Sequence, residues 1–406
     1  MTNTPKGNSK KSNNINKPTT KIFVTILVIA ILVFIVKSTN NKKNVNLPVT
    51  QYKSFTNNIE TSSNKNDIEN IKQISSDARG QKNIPIAFSQ LIPTPPVNDI
   101  KIDQYKRVWI ATENGVYKLE NDEITEFTIK NGKYPFPQAS CIETDGKNLW
   151  IGSLFGICKY NDSGKFVDQT SKFSLPSNIV WDIKSDRNNL WISTQKGVVF
   201  YKSIDSDDES PDYSSNKDNR ILIDNKTTNN GLRSSWCTKI ARYLNFLAVI
   251  HDNGLSVLNI GFPVGSPNAW KNLDHTKLSI SRPINDMAFD GKNIWIGTPT
   301  GLMMINTELK YFDSRFSTEL ISYSELHGLP SNNINSMIFH KNAIWLGTNN
   351  GLARIRNNNI QTISDISGKK PESIRKLAIQ GEGDNITLLW IGTKSGVQFI
   401  NTQMAD

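Results

Sequence analysis

Cysteine is nearly absent: Cys141, Cys158 and Cys237 are the only three in 406 residues. Their odd number and wide spacing leave no CxxC pair and no zinc spacing, so buried free thiols are expected. Histidine is equally sparse. His251, His275, His327 and His340 are scattered, with no HExxH and no pairing suited to a metal. The many serines include no nucleophile elbow. No catalytic residue, metal site or cofactor is therefore expected. Acidic residues are missing from the first 43 positions, which carry eight lysines (Lys6, Lys10, Lys11, Lys17, Lys21, Lys37, Lys42, Lys43). Without those eight, 39 basic residues face 37 acidic ones. The formal charge of +10 thus belongs to the N-terminal flank and not to a basic face, so no nucleic-acid partner is expected.

Long apolar runs are also missing, with one exception. "IFVTILVIAILVFIV", Ile22–Val36, is uncharged and bounded by Lys21 and Lys37. It is slightly shorter than the ~20 residues that span a bilayer, and lysine snorkelling extends its reach. A hydrophilic lead of twenty residues and the absence of a small-x-small site in "VKSTNNKKN" favour an uncleaved anchor over a signal peptide. The sequence divides accordingly: a basic cytoplasmic tail (1–20), a transmembrane anchor (21–37), a flexible linker (38–82), and an extracytoplasmic domain (83–406). The linker is rich in Asn, Ser and Lys, with a brief helix conceivable at Asp67–Ile74. As a coil it would span about 35–40 Å.

What is abundant downstream is one phrase, repeated. "RVWIATENGVYKL" (107–119), "NLWIGSLFGICKY" (148–160), "NLWISTQKGVVFY" (189–201), "NIWIGTPTGLMMI" (293–305), "AIWLGTNNGLARI" (343–355) and "LLWIGTKSGVQFI" (388–400) align on their Trp. "FLAVIHDNGLSVL" (246–258) is a seventh copy with Ala248 at the Trp position. Successive spacings of 41, 41, 57, 47, 50 and 45 residues suit four-stranded propeller blades. In each copy the Trp strand ends in a small residue where a neighbour would approach, and a Gly allows positive φ in a tight turn. Another strand lies upstream ("INSMIF", 334–339) and a fourth downstream ("EITEF", 123–127). The predicted fold is all-β, a seven-bladed β-propeller of four-stranded antiparallel blades, each Trp filling the space between blades. After Ile400 only "NTQMAD" remains, so the spare strand at 84–90 is expected to complete the last blade and close the ring.

The [LI]-W-[IL]-G-[TS]-x-x-G-[LV] signature resembles the two-component regulator propeller repeat. So do the connectors "GLPSNNINSM" (328–337) and "SLPSNIVWDI" (174–183). The resemblance spans residues 84–400 and implies an extracytoplasmic sensor propeller, commonly with a glycan ligand. In that family a membrane helix and a histidine kinase often follow the repeats; here the apolar segment comes first.

Aligning the innermost strands places Asn98, Ser140, Trp181, Thr238, Asn285, Asn335 and Arg375 at equivalent positions around the mouth. Arg233, Trp236 and Arg282 lie just before the strands of blades four and five. Trp faces suit sugars or peptides by stacking, and Arg–Asn sets suit hydroxyls or carboxylates. These ten residues are the expected ligand-binding site. His251–Asp252 reads as drift in a blade that has lost its Trp. "SIDSDDESPD" (203–212) lacks the Gly and terminal Glu of a calcium loop and reads as a solvated acidic loop. The expectation is a non-enzymatic, membrane-anchored recognition or sensor propeller binding a protein partner or glycan. The alternatives are a structural disc in a cell-envelope complex and a propeller lyase or hydrolase.

Overall fold

Every copy of the phrase forms two antiparallel strands joined by a tight turn. In the sixth, Ala343–Thr348 pairs with Gly351–Arg356, and Trp345 stands opposite Arg354. The turn is built the same way in most blades. Thr348 Oγ1 donates to the Gly351 carbonyl and accepts from the Asn350 amide, while Gly351 takes φ +99°. That backbone lies in the left-handed region where a side chain is strained, which explains the fixed Gly. A strand before and a strand after complete the sheet. The computed structural model describes residues 82–186, 189–202, 220–274, 283–306, 319–369, 372–381 and 387–405. The predicted tail and anchor, the brief helix, Arg282 and the acidic loop at 203–212 lie outside these residues, as does the linker up to residue 81. Among the described residues no helix is long and apolar enough to cross a membrane.

Seven sheets result, all within one unit that spans residues 54–406. Their inner strands are Val97–Ile102, Cys141–Thr144, Val180–Asp186, Cys237–Tyr243, Asp286–Phe289, Ile334–His340 and Ile374–Gln380. The seven-bladed propeller is thus present, with blades numbered in that order. Seven apolar clusters fill the seams. Trp109 packs with Ile142, Ile151 and Cys158 of blade two, and Trp345 with Ile374, Leu377 and Ile391 of blade seven. The small residue after the signature's Ile or Leu has the expected reason. A Cβ on Gly347 would stand 2.5 Å from Ile374 Cγ2, and one on Gly392 2.6 Å from Val97 Cγ1. In each case the first residue of the next inner strand occupies that space. All three cysteines are free and buried.

Ring closure differs from the expectation. The predicted closing strand, 84–90, does not complete blade seven. Its first half belongs to β1 (Lys82–Ile86), which adds in parallel to Asn359–Asp365 as a fifth strand of blade six. β2 (Ile92–Pro93) supplies the outer strand of blade seven, pairing antiparallel with Val397 and Gly396. Ser89 begins that contact, its amide donating to the Phe399 carbonyl. The physical reason is burial: Ile86 is 1% exposed, packed against Trp345, Ile363 and Ala405 in the seam between blades six and seven. One segment therefore secures two blades. The chain's other end adds to this, as the buried Arg354 guanidinium stacks on Trp345 and donates to the Ala405 carbonyl.

Candidate functional site: the mouth of the propeller

The aligned mouth residues share a backbone feature. In blade one Val97 faces Thr112 and Asp99 faces Ala111, which leaves Asn98 in a β-bulge. Trp181, Thr238, Asn335 and Arg375 occupy the same bulge in their blades. Ser140 and Asn285 sit just before their inner strands, donating their amides to Gly152 and Gly297. A bulge re-aims its side chain away from the ladder, and here five of the seven reach the next blade. Asn98 donates to the Ala139 carbonyl at 2.9 Å, and Ser140 to Val180 at 2.7 Å. Asn285 reaches Ile334 and Asn335 reaches Ile374, both at 2.8 Å, and Arg375 Nε reaches Val97 at 2.7 Å. The acceptor is always the residue before the next blade's own mouth residue. These five polar side chains therefore staple neighbouring blades. Arg375 is further held by Asn98 Oδ1 and Glu113, so its guanidinium is spent on the ring.

Two positions break the series. The indole N–H of Trp181 is buried and has no hydrogen-bond partner among the described residues. Thr238 is exposed. Both border blade four, where Arg233 is exposed and Trp236 half-buried immediately before the inner strand. An indole N–H, a hydroxyl, a guanidinium and a second indole thus belong to one sector, between blades three and four, with no staple of their own. The sector can stack a planar or sugar-like group and donate hydrogen bonds to it. Two surface clefts occur elsewhere, one against Phe88, Leu352 and Ile363, the other against Trp295, Asn342 and Asn358. None of the predicted residues lines either.

Below the mouth, the axis is lined with charge that went unread in the sequence. Four carboxylates, Asp99, Glu143, Asp182 and Asp286, are buried there beside four lysines, Lys101, Lys184, Lys239 and Lys376. The carboxylates of Asp99, Asp182 and Asp286 follow one rule. Each accepts the next residue's amide in its own strand and an amide of the following blade: Ile142, Ile240 or Met337. Ion pairs extend the ring, Lys376 to Asp99 at 2.9 Å and Lys239 to Asp286 at 2.8 Å. Burial would push the Asp99 carboxyl up, but Lys376, Lys184 and the Ile142 amide outweigh it, and its pKa is lowered. Asp286 is lowered likewise, burial being outweighed by Lys239, Lys376 and the Met337 amide. Burial would lower the Lys376 pKa, but Asp99 and Asp286 raise it above its ordinary value. Each charge is matched, so the ring is a structural seal and not a poised acid–base pair. The signal was present as Asp in "NDIKI" (98–102), "WDIKS" (181–185) and "NDMAF" (285–289).

His251 occupies the Thr position of the degenerate blade four. Its Nδ1 accepts from the Asn253 amide as Thr348 Oγ1 does from Asn350, and its Nε2 lies 2.8 Å from Ser256 Oγ. It replaces a turn hydroxyl. Among the described residues no group of three or more His, Cys, Asp or Glu could hold a metal ion.

No family model matches the chain, and no curated relative does. Solved structures do. The extracellular domain of the hybrid two-component system BT3049 from B. thetaiotaomicron superposes with a TM-score of 0.59 at 20% identity, over 78% of this chain and 42% of that one. The extracellular domain of the one-component system BT4673 from the same organism gives 0.58 at 19%, over 77% and 40%. PorZ, a surface component of the type-IX secretion system of Porphyromonas gingivalis, gives 0.51 at 12%, over 76% and 37%. The likeness is one of fold. This chain spans about two-fifths of the length of each of these structures. The propeller expected from the repeat thus shares its fold with these extracellular and surface structures.

Proposed function

We propose that the chain is a recognition propeller, membrane-anchored and extracytoplasmic, that binds its ligand at the mouth between blades three and four and performs no catalysis. The observation that carries this reading is the unequal use of the mouth. Five of seven equivalent side chains are consumed by staples, while Trp181 and Thr238 are not, and Arg233 and Trp236 stand beside them. The apolar run at 22–36 supplies the anchor, and the ectodomain folds of the structural relatives support an external position. Of the ten expected residues this leaves Trp181, Arg233, Trp236 and Thr238, and returns Arg375 to the framework.

The test is photo-crosslinking in intact cells from a probe placed at Thr238, followed by identification of the captured protein or glycan. A Trp181→Ala, Arg233→Ala chain is expected to lose at least about tenfold in capture, as two removed hot-spot side chains imply, while melting cooperatively. Capture at the unmodified level by that variant would remove the site.

A further inference from the structure

The seven seams are not equally closed, and one lacks what the others share. Six are filled by a signature Trp; the seam between blades four and five has Ala248 instead. Five carry a staple from a mouth side chain, and the seam between blades three and four compensates with the Asp182–Ile240 bond and with Arg242. That guanidinium pairs with Asp186 at 2.7 Å and lies over Trp191. Between blades four and five, Thr238 makes no hydrogen bond to its neighbour among the described residues. The position after the bulge has Lys239, where blades one, three, five and six offer an Asp or Ser that accepts an amide of the next blade; blade seven has Lys376 there and blade two Cys141. What joins the two blades along the axis is the Lys239–Asp286 ion pair, with a stacked Tyr243–Phe289 contact at 5.6 Å and a long bond from the Tyr243 hydroxyl to Gly291. Among the described residues, these two inner strands touch least of all neighbouring pairs. Trp270, on the outer strand of blade four, faces the opposite seam, with its N–H held by the Val264 carbonyl. It does not substitute for the missing Trp.

We propose that the seam between blades four and five is where this ring opens. The covalent ends of the ring, at blades six and seven, are secured three times over by β1, β2 and the C-terminal turn, so opening is displaced to the seam whose inner strands touch least. A ring of blades held by nearest-neighbour seams yields at its weakest one, and local opening follows local bonding rather than global stability. The seam adjoins the sector assigned above to ligand binding, which gives opening a use: a ligand spanning Thr238 and blade five would supply the missing staple. The opening itself rests on the fold alone.

Native-state amide exchange of the full chain tests it. The amides of Cys237–Tyr243 and Asp286–Phe289 are expected to exchange faster than those of Ile334–His340 and Ile374–Gln380. Thr238→Asn installs the staple that Asn98, Asn285 and Asn335 make, and should slow exchange at this seam by about fivefold, the value of one net hydrogen bond. Lys239→Met should accelerate it. Equal protection of the two pairs of strands, or a Thr238→Asn chain with unchanged exchange, overturns the proposal. Either result leaves capture by Trp181 and Arg233 to be judged separately.

Discussion

At the scale of single residues, the same acid recurs beneath the signature Trp. The indole N–H of Trp109, Trp150 and Trp295 donates to Asp103, Asp145 and Asp290 at 2.7–2.9 Å, and that of Trp390 to Gln380 at 2.6 Å. Asp290 does more than accept the indole. Its carboxylate also takes the amides of Lys292 and Asn293 and the Asn293 side chain, so one group shapes the turn and satisfies the buried ring. Asp290→Ala leaves a buried donor without a partner, and is expected to cost about 1–3 kcal/mol in urea unfolding. Asp186 is the contrast. It holds Arg242 in place of Trp191, whose indole N–H has no partner among the described residues. Asp186→Ala removes a partly exposed ion pair and should cost only about 0–1 kcal/mol. Equal losses in the two variants would show that the indole bond contributes nothing. The sequence carries the same "DGKN" before Trp150 and Trp295. Periodicity identifies strands; it does not reveal which turn side chain reaches back to an indole.

Elements were legible where the repeat is regular and illegible where it is not. The hairpins around six Trp and around Ala248 all formed, because the pattern of alternating burial and a turn Gly determines them locally. The mouth positions align as equivalents, since alignment on the inner strand carries them, but the hydrogen bonds that five of them make to the next blade are not legible in the strand itself. Whether Asn335 meets a ligand or the carbonyl of Ile374 depends on the bulge and on the neighbouring blade, neither of which a single strand encodes. Closure failed for a similar reason. Ile84 and Ile86 look like any edge strand, and only the seam beside Trp345 decides that they pair with blade six. A truncation series separates the two roles. Ile86→Ala empties a packed seam and should cost about 2–4 kcal/mol. Removing residues 1–87 should lower the melting temperature yet keep one cooperative transition, because β2 still completes blade seven. Removing residues 1–94 should abolish that cooperativity. A chain lacking residues 1–94 that melts as sharply as the parent would refute closure by β2.

For the whole molecule, the axial charges link the blades into one titrating unit. Asp99 receives Lys376 from blade seven and the Ile142 amide of blade two, so it binds blade one to both neighbours. Its carboxyl pKa is lowered from 3.8, as is that of Asp286. A lowered carboxyl pKa contributes stability that is present above the unfolded value and is lost as pH falls through the folded one. Lys376, raised from 10.5, contributes below that value and loses its contribution only as pH rises through the folded pKa. The ring should therefore hold a plateau across neutral pH, and weaken in acid below about pH 4. Asp99→Asn makes the point testable. At pH 7 the variant leaves Lys376 in the axis without its closest counter-charge, and should lose on the order of 3 kcal/mol. In acid the parent's own Asp99 becomes neutral, so the two chains should converge. Urea midpoints of both, measured from pH 7 to pH 2.5, check this. A difference that stays constant down to the lowest pH would mean that Asp99 acts through its shape and hydrogen bonds alone, and that charge does not seal the ring.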